Sequence, residues 1–167
     1  YVAYEIHLAS AREVWEGGDT DAAKRILKKA VTLNPADYRS YVLLSDIYET
    51  QQNWSQCAAA RLRAWRLVGD RPLDLGIKLS EALIHTEQHS TMLPLLRTLS
   101  EGVKYSIPKP ARALQLRLHF VWAQLDMRAA RHEDALQKLK HCQIMANGLR
   151  DKSEADRLPA NIEVLQA

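Results

Sequence analysis

The sequence predicts an all-α protein built from consecutive helical hairpins, and three observations support this prediction. Residues thirty-four positions apart resemble each other early in the chain, so that Ala23 pairs with Cys57 and Ala30 with Ala64. Apolar residues recur at helical spacing, and no segment alternates as a strand would. Gly and Pro, six of each, lie mostly between the helical segments. A repeat of this length is typical of helix–turn–helix units that bury their apolar faces against one another.

The first hairpin is predicted between the start of the chain and Pro35. Apolar residues at helical spacing indicate a helix over Val2–Glu16. The pair Gly17–Gly18 ends it, because glycine adopts the left-handed conformation of helix ends at little cost. Asp19 or Thr20 can cap the next helix, which continues until the residue before Pro35.

The later helices follow from the same signals, and the third hairpin is the least regular. Helices are predicted over residues 36–50, 55–68, 73–86, 90–101, 111–130 and 133–147. Residues 103–110 contain two prolines and are predicted to form an irregular connector. We expect one helical domain over residues 1–149 and a helical tail or capping segment over residues 150–167.

Composition limits the class of protein. The 167 residues are 47% hydrophobic with a mean hydropathy of −0.32, which is ordinary for a soluble globular chain. No apolar run reaches the roughly 18–20 residues that span a bilayer, and the start at Tyr1 suggests a fragment or processed form. The net charge of +3 permits an anionic partner without requiring one. A disulfide between Cys57 and Cys142 is one alternative, but two buried reduced thiols are the preferred interpretation. Reduced thiols favour a reducing intracellular compartment, the cytoplasm before the nucleus or an organelle.

Most of the repeat positions carry small or apolar residues at a recurring spacing. They are Ala11, Gly18, Ala23, Leu27, Ala30 and Pro35 in the first hairpin; Tyr41, Leu44, Ser45, Tyr48, Cys57 and Ala64 in the second; Leu79, Ser80, Leu83 and Leu96 in the third; and Ala123, Ala135, Leu139 and Cys142 in the fourth. With these residues, the stretch from about residue 4 to residue 148 resembles the tetratricopeptide repeat family. The resemblance implies a right-handed α-solenoid of about four hairpins with a C-terminal helical tail.

Two departures and one narrower resemblance accompany this pattern. Met92 stands where a small residue is expected. Arg61 falls where the family has a large apolar residue, so we expect that helix to shift by one residue and to bury Ala58, Leu62 and Trp65. The string YVLLSDIYETQQNW is similar to the E-type motif of plant pentatricopeptide RNA-editing factors.

The sequence contains no pattern typical of a catalytic, cofactor-binding or metal-binding site. His85 and His89 have a spacing that can hold zinc from one helix face, but no third ligand is apparent, and a polar turn is the preferred interpretation. Phosphate-binding loops, dinucleotide-binding turns, serine elbows and paired carboxylates are not found. We therefore expect a protein that is not an enzyme.

In tetratricopeptide proteins the first helix of each hairpin lines a concave groove. The resemblance places an apolar stripe there, formed by Leu8, Val42, Ile77 and Phe120. The residues expected around the stripe are Arg12, Trp15, Arg39, Asp46, Glu49, Glu81, Ile84, Gln124 and Met127. A stripe with mixed charges suits an amphipathic helix or an extended peptide. Some of these side chains could instead form core between hairpins, Leu8 and Val42 more readily than Phe120 or Met127.

The favoured function is a non-catalytic scaffold or adaptor that binds a protein segment in this groove within a larger assembly. One alternative is a helical-repeat RNA-binding or RNA-processing factor, which would contact phosphates through Lys24, Arg25, Lys28, Lys29 and Arg63. A solvated outer face is the preferred interpretation of these cations, since no aromatic side chains are interleaved with them for base stacking. Another alternative is the regulatory arm of a larger enzyme.

Overall fold

The computed structural model describes residues 2–69, 72–86, 88–106 and 111–147. These residues form eight α-helices and one short 3-10 helix, and none of them lies in a strand. The predicted tail and the end of the predicted connector lie outside the described residues. The chain divides into two compact units, unit 1 over residues 1–75 and unit 2 over residues 76–167.

The helix bounds agree closely with the prediction over most of the chain. The helices are α1 (Val2–Glu16), α2 (Thr20–Leu33), α3 (Tyr38–Thr50), α4 (Trp54–Val68), α5 (Leu73–Leu83), α6 (Met92–Tyr105), α7 (Arg112–Arg128) and α8 (His132–Asn147). The short 3-10 helix, His89–Thr91, leads directly into α6.

Unit 1 contains two hairpins, in which α1 packs on α2 and α3 packs on α4. Small residues lie at the helix contacts, where Ala11, Ala23 and Ala30 are fully buried in the first hairpin. Cys57 and Ala64, the repeat equivalents of Ala23 and Ala30, are fully buried in the second. Because a bulky side chain at these positions would force the helices apart, the predicted hairpin register is confirmed.

The turns within the two hairpins of unit 1 have the same backbone design. The N–H groups of Asp19 and Asn53 each donate to the carbonyl five residues earlier, at 3.1 and 2.9 Å, and this bond defines a Schellman motif. The residue before each donor has a left-handed backbone, with φ of 92° at Gly18 and 55° at Gln52. In the turn between α7 and α8, Ala130 has a φ of 58°. The three turns thus share a residue with a left-handed backbone, and that residue is glycine in only one of them.

Unit 2 contains the hairpin of α7 and α8, where Ala123, Ala135 and Cys142 are fully buried. The preceding helices depart from the prediction. Helix α5 ends at Leu83, three residues earlier than predicted. A turn follows, in which the hydroxyl of Thr86 donates to the Leu83 carbonyl at 2.8 Å. Helix α6 runs on to residue 105 and so takes up the first part of the predicted connector.

Both cysteines are free and buried, as predicted. Burial raises the pKa of the Cys57 thiol and that of the Cys142 thiol to about 11. Since the thiolate is the reactive form, these side chains act as small core residues.

Candidate partner-binding surface

Arg61 is the most unusual side chain of unit 1, because it is fully buried. It lies thirty-four residues after Leu27, a core residue of the first hairpin, and takes the equivalent place in α4. The expected shift of α4 by one residue is therefore wrong. Ala58 and Trp65 are buried as expected, but Leu62 is only partly buried and the arginine itself points inward.

Two carboxylates of α3 hold this buried guanidinium. The Nη2 atom of Arg61 lies 2.5 Å from Oε2 of Glu49 and 3.7 Å from Oδ1 of Asp46. The carboxylate side chains remain 42% and 30% exposed, respectively, so each has one side on the guanidinium and another toward solvent. An ion pair with a buried partner holds its charges in one geometry. Asp46 and Glu49 thus form a fixed polar surface on the first helix of the second hairpin.

The other predicted groove residues of unit 1 differ in accessibility. Arg12 is exposed, Trp15 and Val42 are half-buried, and Leu8 is buried in the core. These positions belong to α1 and α3, the first helices of the two hairpins.

Arg39 is exposed but strongly engaged at the start of α3. Its Nη2 atom lies 2.6 Å from Oε1 of Glu5 and 2.7 Å from Oδ2 of Asp37. Hydrogen bonds to Asp37 and then Glu5 raise the pKa of Arg39, and its guanidinium lowers the pKa of Asp37 in turn. The link between Glu5 and Arg39 ties α1 to α3, which gives this predicted groove residue a structural role.

In unit 2, several predicted groove residues belong to the core. Ile77, Ile84 and Phe120 are buried, and Phe120, only 5% exposed, lies in the core cluster that includes Leu139. The expectation that Phe120 is more accessible than Val42 is wrong, because Phe120 packs in the core of unit 2 whereas Val42 is only half-buried in unit 1. Of the four residues of the predicted apolar stripe, Val42 alone keeps appreciable exposure.

The polar groove residues of unit 2 are also partly engaged. Glu81 accepts two hydrogen bonds from Arg117, from Nε at 2.8 Å and from Nη2 at 2.7 Å. This bidentate pair links α5 to α7 across thirty-six residues of sequence. Gln124 and Met127 are half-buried on α7.

The predicted basic cluster separates into one engaged and several exposed cations. Lys24 pairs with Asp21 at 2.8 Å and donates to the side chain of Gln51 at 3.2 Å. Arg25, Lys28, Lys29 and Arg63 are exposed, and the guanidinium of Arg63 lies 6.0 Å from the ring centre of Tyr41.

A buried carboxylate at the end of α7 was missed in the sequence analysis. Asp126 is buried, and its Oδ1 accepts from Arg131 Nη2 at 2.6 Å while its Oδ2 accepts from Lys138 Nζ at 2.6 Å. The signal lies in the spacing, since Arg131 and Lys138 follow at five and twelve residues. The cluster fastens the turn between α7 and α8.

The histidines of unit 2 make two kinds of contact, one with an arginine and one with another histidine. His89 Nε2 lies 3.2 Å from Nη1 of Arg128, a cationic neighbour. His119 and His141 make an edge-to-face contact with ring centres 4.8 Å apart, and burial, then the neighbouring His141, lowers the pKa of His119 to about 4. Within the described ranges, no three His, Cys, Asp or Glu side chains are grouped in a way that could hold a metal ion.

One cavity of about 220 Å³ lies at the open end of the first hairpin, lined by Ala3, Tyr4, Leu33 and Asn34. None of the predicted site residues lines it. In the part of the chain that is described, no helix is both long and apolar enough to cross a bilayer.

The paired helices, their small-residue contacts and the repeated turn define an all-α fold of tetratricopeptide type, the class of helical-repeat solenoids. Solved structures of this class are similar to the chain. MamA of strain AMB-1 superposes with a TM-score of 0.72 at 13% identity over 93% of this chain and 79% of that one. MamA of strain MSR-1 gives a TM-score of 0.69 at 13% identity over 86% and 77%.

PilF of Pseudomonas aeruginosa is also similar, with a TM-score of 0.62 at 13% identity over 86% of this chain and 61% of its own. No protein-family model matches the sequence. No curated protein matches it either. The likeness to the solved structures therefore establishes the fold, and function has to be argued from the surface of this chain.

Proposed function

We propose that the protein is a non-catalytic scaffold that binds a peptide segment or helix of a partner protein, within a larger assembly. The proposed site is the first-helix surface of unit 1, defined as Arg12, Trp15, Val42, Asp46 and Glu49. Helical-repeat folds commonly use such extended surfaces for binding, and the solved structures with which this chain shares its fold support membership of that fold class.

The observation that carries the proposal is the attachment of Asp46 and Glu49 to the buried Arg61. Side chains that are already ordered lose less conformational entropy when a partner binds, which favours affinity and specificity. On α1, the half-buried Trp15 offers apolar area of the kind that anchors interfaces. The surface thus combines fixed acceptors, an exposed cation at Arg12 and an aromatic anchor.

The attachment of the two carboxylates to the buried arginine determines which variants can test the proposal. Charge reversal at Asp46 or Glu49 would expose the buried arginine to a like charge and so would disturb the fold as well as the surface. Phe120→Ala would disturb the fold in a different way, because it leaves a cavity in the core. Arg12 and Trp15 are the better positions, because the described residues give Arg12 no salt-bridge partner and Trp15 retains accessible area.

A photoreactive amino acid at Val42 provides the direct test, with the same group at the exposed Ala59 of α4 as the matched control. In nuclease-treated extract, we expect Val42 to crosslink to a specific protein and Ala59 not to do so. Trp15→Ala and Arg12→Glu should reduce that crosslink at least tenfold, whereas Lys28→Glu, the same charge reversal on α2, should leave it. Equal crosslinking at both positions, or equal loss with Lys28→Glu, would contradict the proposal.

A further inference from the structure

Charge is segregated between the first and second helices of unit 1. Helix α2 carries four cations and one carboxylate, and α4 carries three arginines and no carboxylate. The first helices, α1 and α3, together carry five carboxylates and two arginines. A chain with a net charge of only +3 therefore presents a strongly positive side in this unit.

The cations of the second helices that reach solvent share one face. We define the cationic face as Arg25, Lys28, Lys29, Arg63 and Arg66, all of which are exposed. Lys29 and Arg63 are thirty-four residues apart, so they occupy the same position in consecutive hairpins. Within the described ranges, none of the five side chains has a carboxylate within salt-bridge distance. The two other cations of these helices, Lys24 and Arg61, are paired and do not contribute.

We infer that the cationic face binds the phosphate backbone of a nucleic acid without reading its sequence. Lys and Arg that have no carboxylate at salt-bridge distance can neutralise phosphates and release their counterions, which supplies the main energy of sequence-independent binding. Proteins that bind single strands normally add aromatic side chains on which the bases stack, and no aromatic side chain lies among the exposed residues of α2 and α4. The contact is therefore made to the backbone.

The residues between the cations distinguish this ligand from other polyanions. On α2 and α4 the exposed positions between the cations are small or polar, such as Thr32, Gln56 and Ala59, and among the described residues of these helices the exposed large apolar side chain is Leu33 at the end of α2. Peripheral binding to a bilayer typically adds apolar side chains that enter the interface, and an acidic peptide typically docks through apolar anchors as well as charges. A uniform row of phosphates requires neither, so the face fits a nucleic acid best.

The salt dependence of binding provides the test. Purified protein is titrated into a fluorescent 30-base-pair DNA duplex of mixed sequence, and the dissociation constant is measured by anisotropy at several salt concentrations. If all five cations contact phosphates, log affinity should fall against log salt with a slope of about −4.5, from roughly −0.9 per phosphate neutralised. Lys28→Gln and Arg63→Gln should each make the slope shallower by about 0.9, and the double variant by about 1.8.

Two control variants remove the same charge elsewhere. Arg12→Gln removes an exposed cation from α1, and Lys24→Gln removes a cation of α2 that is already paired with Asp21. Both should leave the slope within about 0.3 of that of the parent protein, since neither side chain belongs to the cationic face. Thermal melts of the variants at the exposed positions Arg12, Lys28 and Arg63 should coincide with that of the parent protein, and that of Lys24→Gln shows how much the bonds to Asp21 and Gln51 stabilise the fold.

Several results would overturn the inference. One is the absence of duplex binding at low salt. Another is an equal effect of Arg12→Gln and Lys28→Gln, which would reduce the interaction to net charge. Tighter binding to vesicles containing phosphatidylserine, or to polyglutamate, than to the duplex at the same salt would assign the face to a lipid or protein partner instead. These measurements use purified components, so they are independent of the protein-binding site proposed on the first helices.

Discussion

Replacing the buried Arg61 tests how α4 tolerates a charge at a core position. Its equivalents, Leu27 and Leu139, are fully buried apolar residues of the first and fourth hairpins. Burying a guanidinium costs several kcal/mol of desolvation, which the pair with Glu49 and Asp46 offsets. Both carboxylates are partly exposed and would regain water if the arginine were removed.

We therefore expect Arg61→Leu to keep or raise the free energy of unfolding, by about 0–3 kcal/mol, because a leucine fills the position without a desolvation cost. Arg61→Ala should be less stable than Arg61→Leu by about 2–4 kcal/mol, because it leaves a cavity in the same place. Glu49→Gln should cost about 1–3 kcal/mol. This is below the cost of removing a fully buried partner, since Glu49 is 42% exposed and Asp46 still faces the guanidinium.

Urea denaturation followed by circular dichroism and tryptophan fluorescence measures these differences. The difference in the free energy of unfolding between Arg61→Leu and Arg61→Ala measures packing alone, because both variants remove the same charge. If Arg61→Leu proved as unstable as Arg61→Ala, the pair with the carboxylates would be worth more than the apolar packing. The reasoning from the repeat position would then be refuted.

Three further predictions concern the hairpin of α7 and α8. Ala130→Gly should stabilise by about 0.5–1 kcal/mol, because Ala130 has a left-handed backbone that costs an L-residue energy, whereas Ala129→Gly in the right-handed region should destabilise; thermal melts compare them. Asp126→Asn should cost about 2–4 kcal/mol in urea denaturation, since it weakens the charge-assisted bonds to two cations. The pKa of His119, lowered from 6.5 to about 4, means that the unfolded chain binds a proton in this range before the folded chain does. Stability should therefore fall by at most about 3 kcal/mol as the pH drops from 6.5 to 4, and His119→Phe should remove that part of the slope.

Each of these predictions has a clear contrary outcome. A destabilised Ala130→Gly would mean that the turn gains more from restricting the unfolded chain than it loses in backbone strain. A cost below about 1 kcal/mol for Asp126→Asn would show that solvent already screens the cluster. Identical pH slopes for the parent protein and His119→Phe, with carboxylate titration common to both, would show that His119 is freely protonated in the folded state.

The sequence alone determined the helices of unit 1 almost to the residue. The prediction of Val2–Glu16 matches α1, because apolar periodicity and the glycine pair act locally and need no distant partner. The small residues Ala23 and Cys57 also revealed the hairpin register, since close helix packing leaves no room for larger side chains. The end of α5 was less predictable, because Thr86 competes with the helix through its own hydroxyl.

Tertiary structure decided whether individual side chains of the candidate surface are buried, paired or exposed. Arg61 is buried because Glu49, twelve residues earlier, meets it across a hairpin, and Glu81 is engaged because Arg117 approaches from another helix. Phe120 lies in the core because α8 covers it. Local periodicity states which face of a helix is apolar, but whether a charge at its margin points to solvent or to an ion pair depends on residues brought together by packing. The physical reason is that desolvation and pairing are nearly balanced energies, and only the three-dimensional neighbours decide the balance.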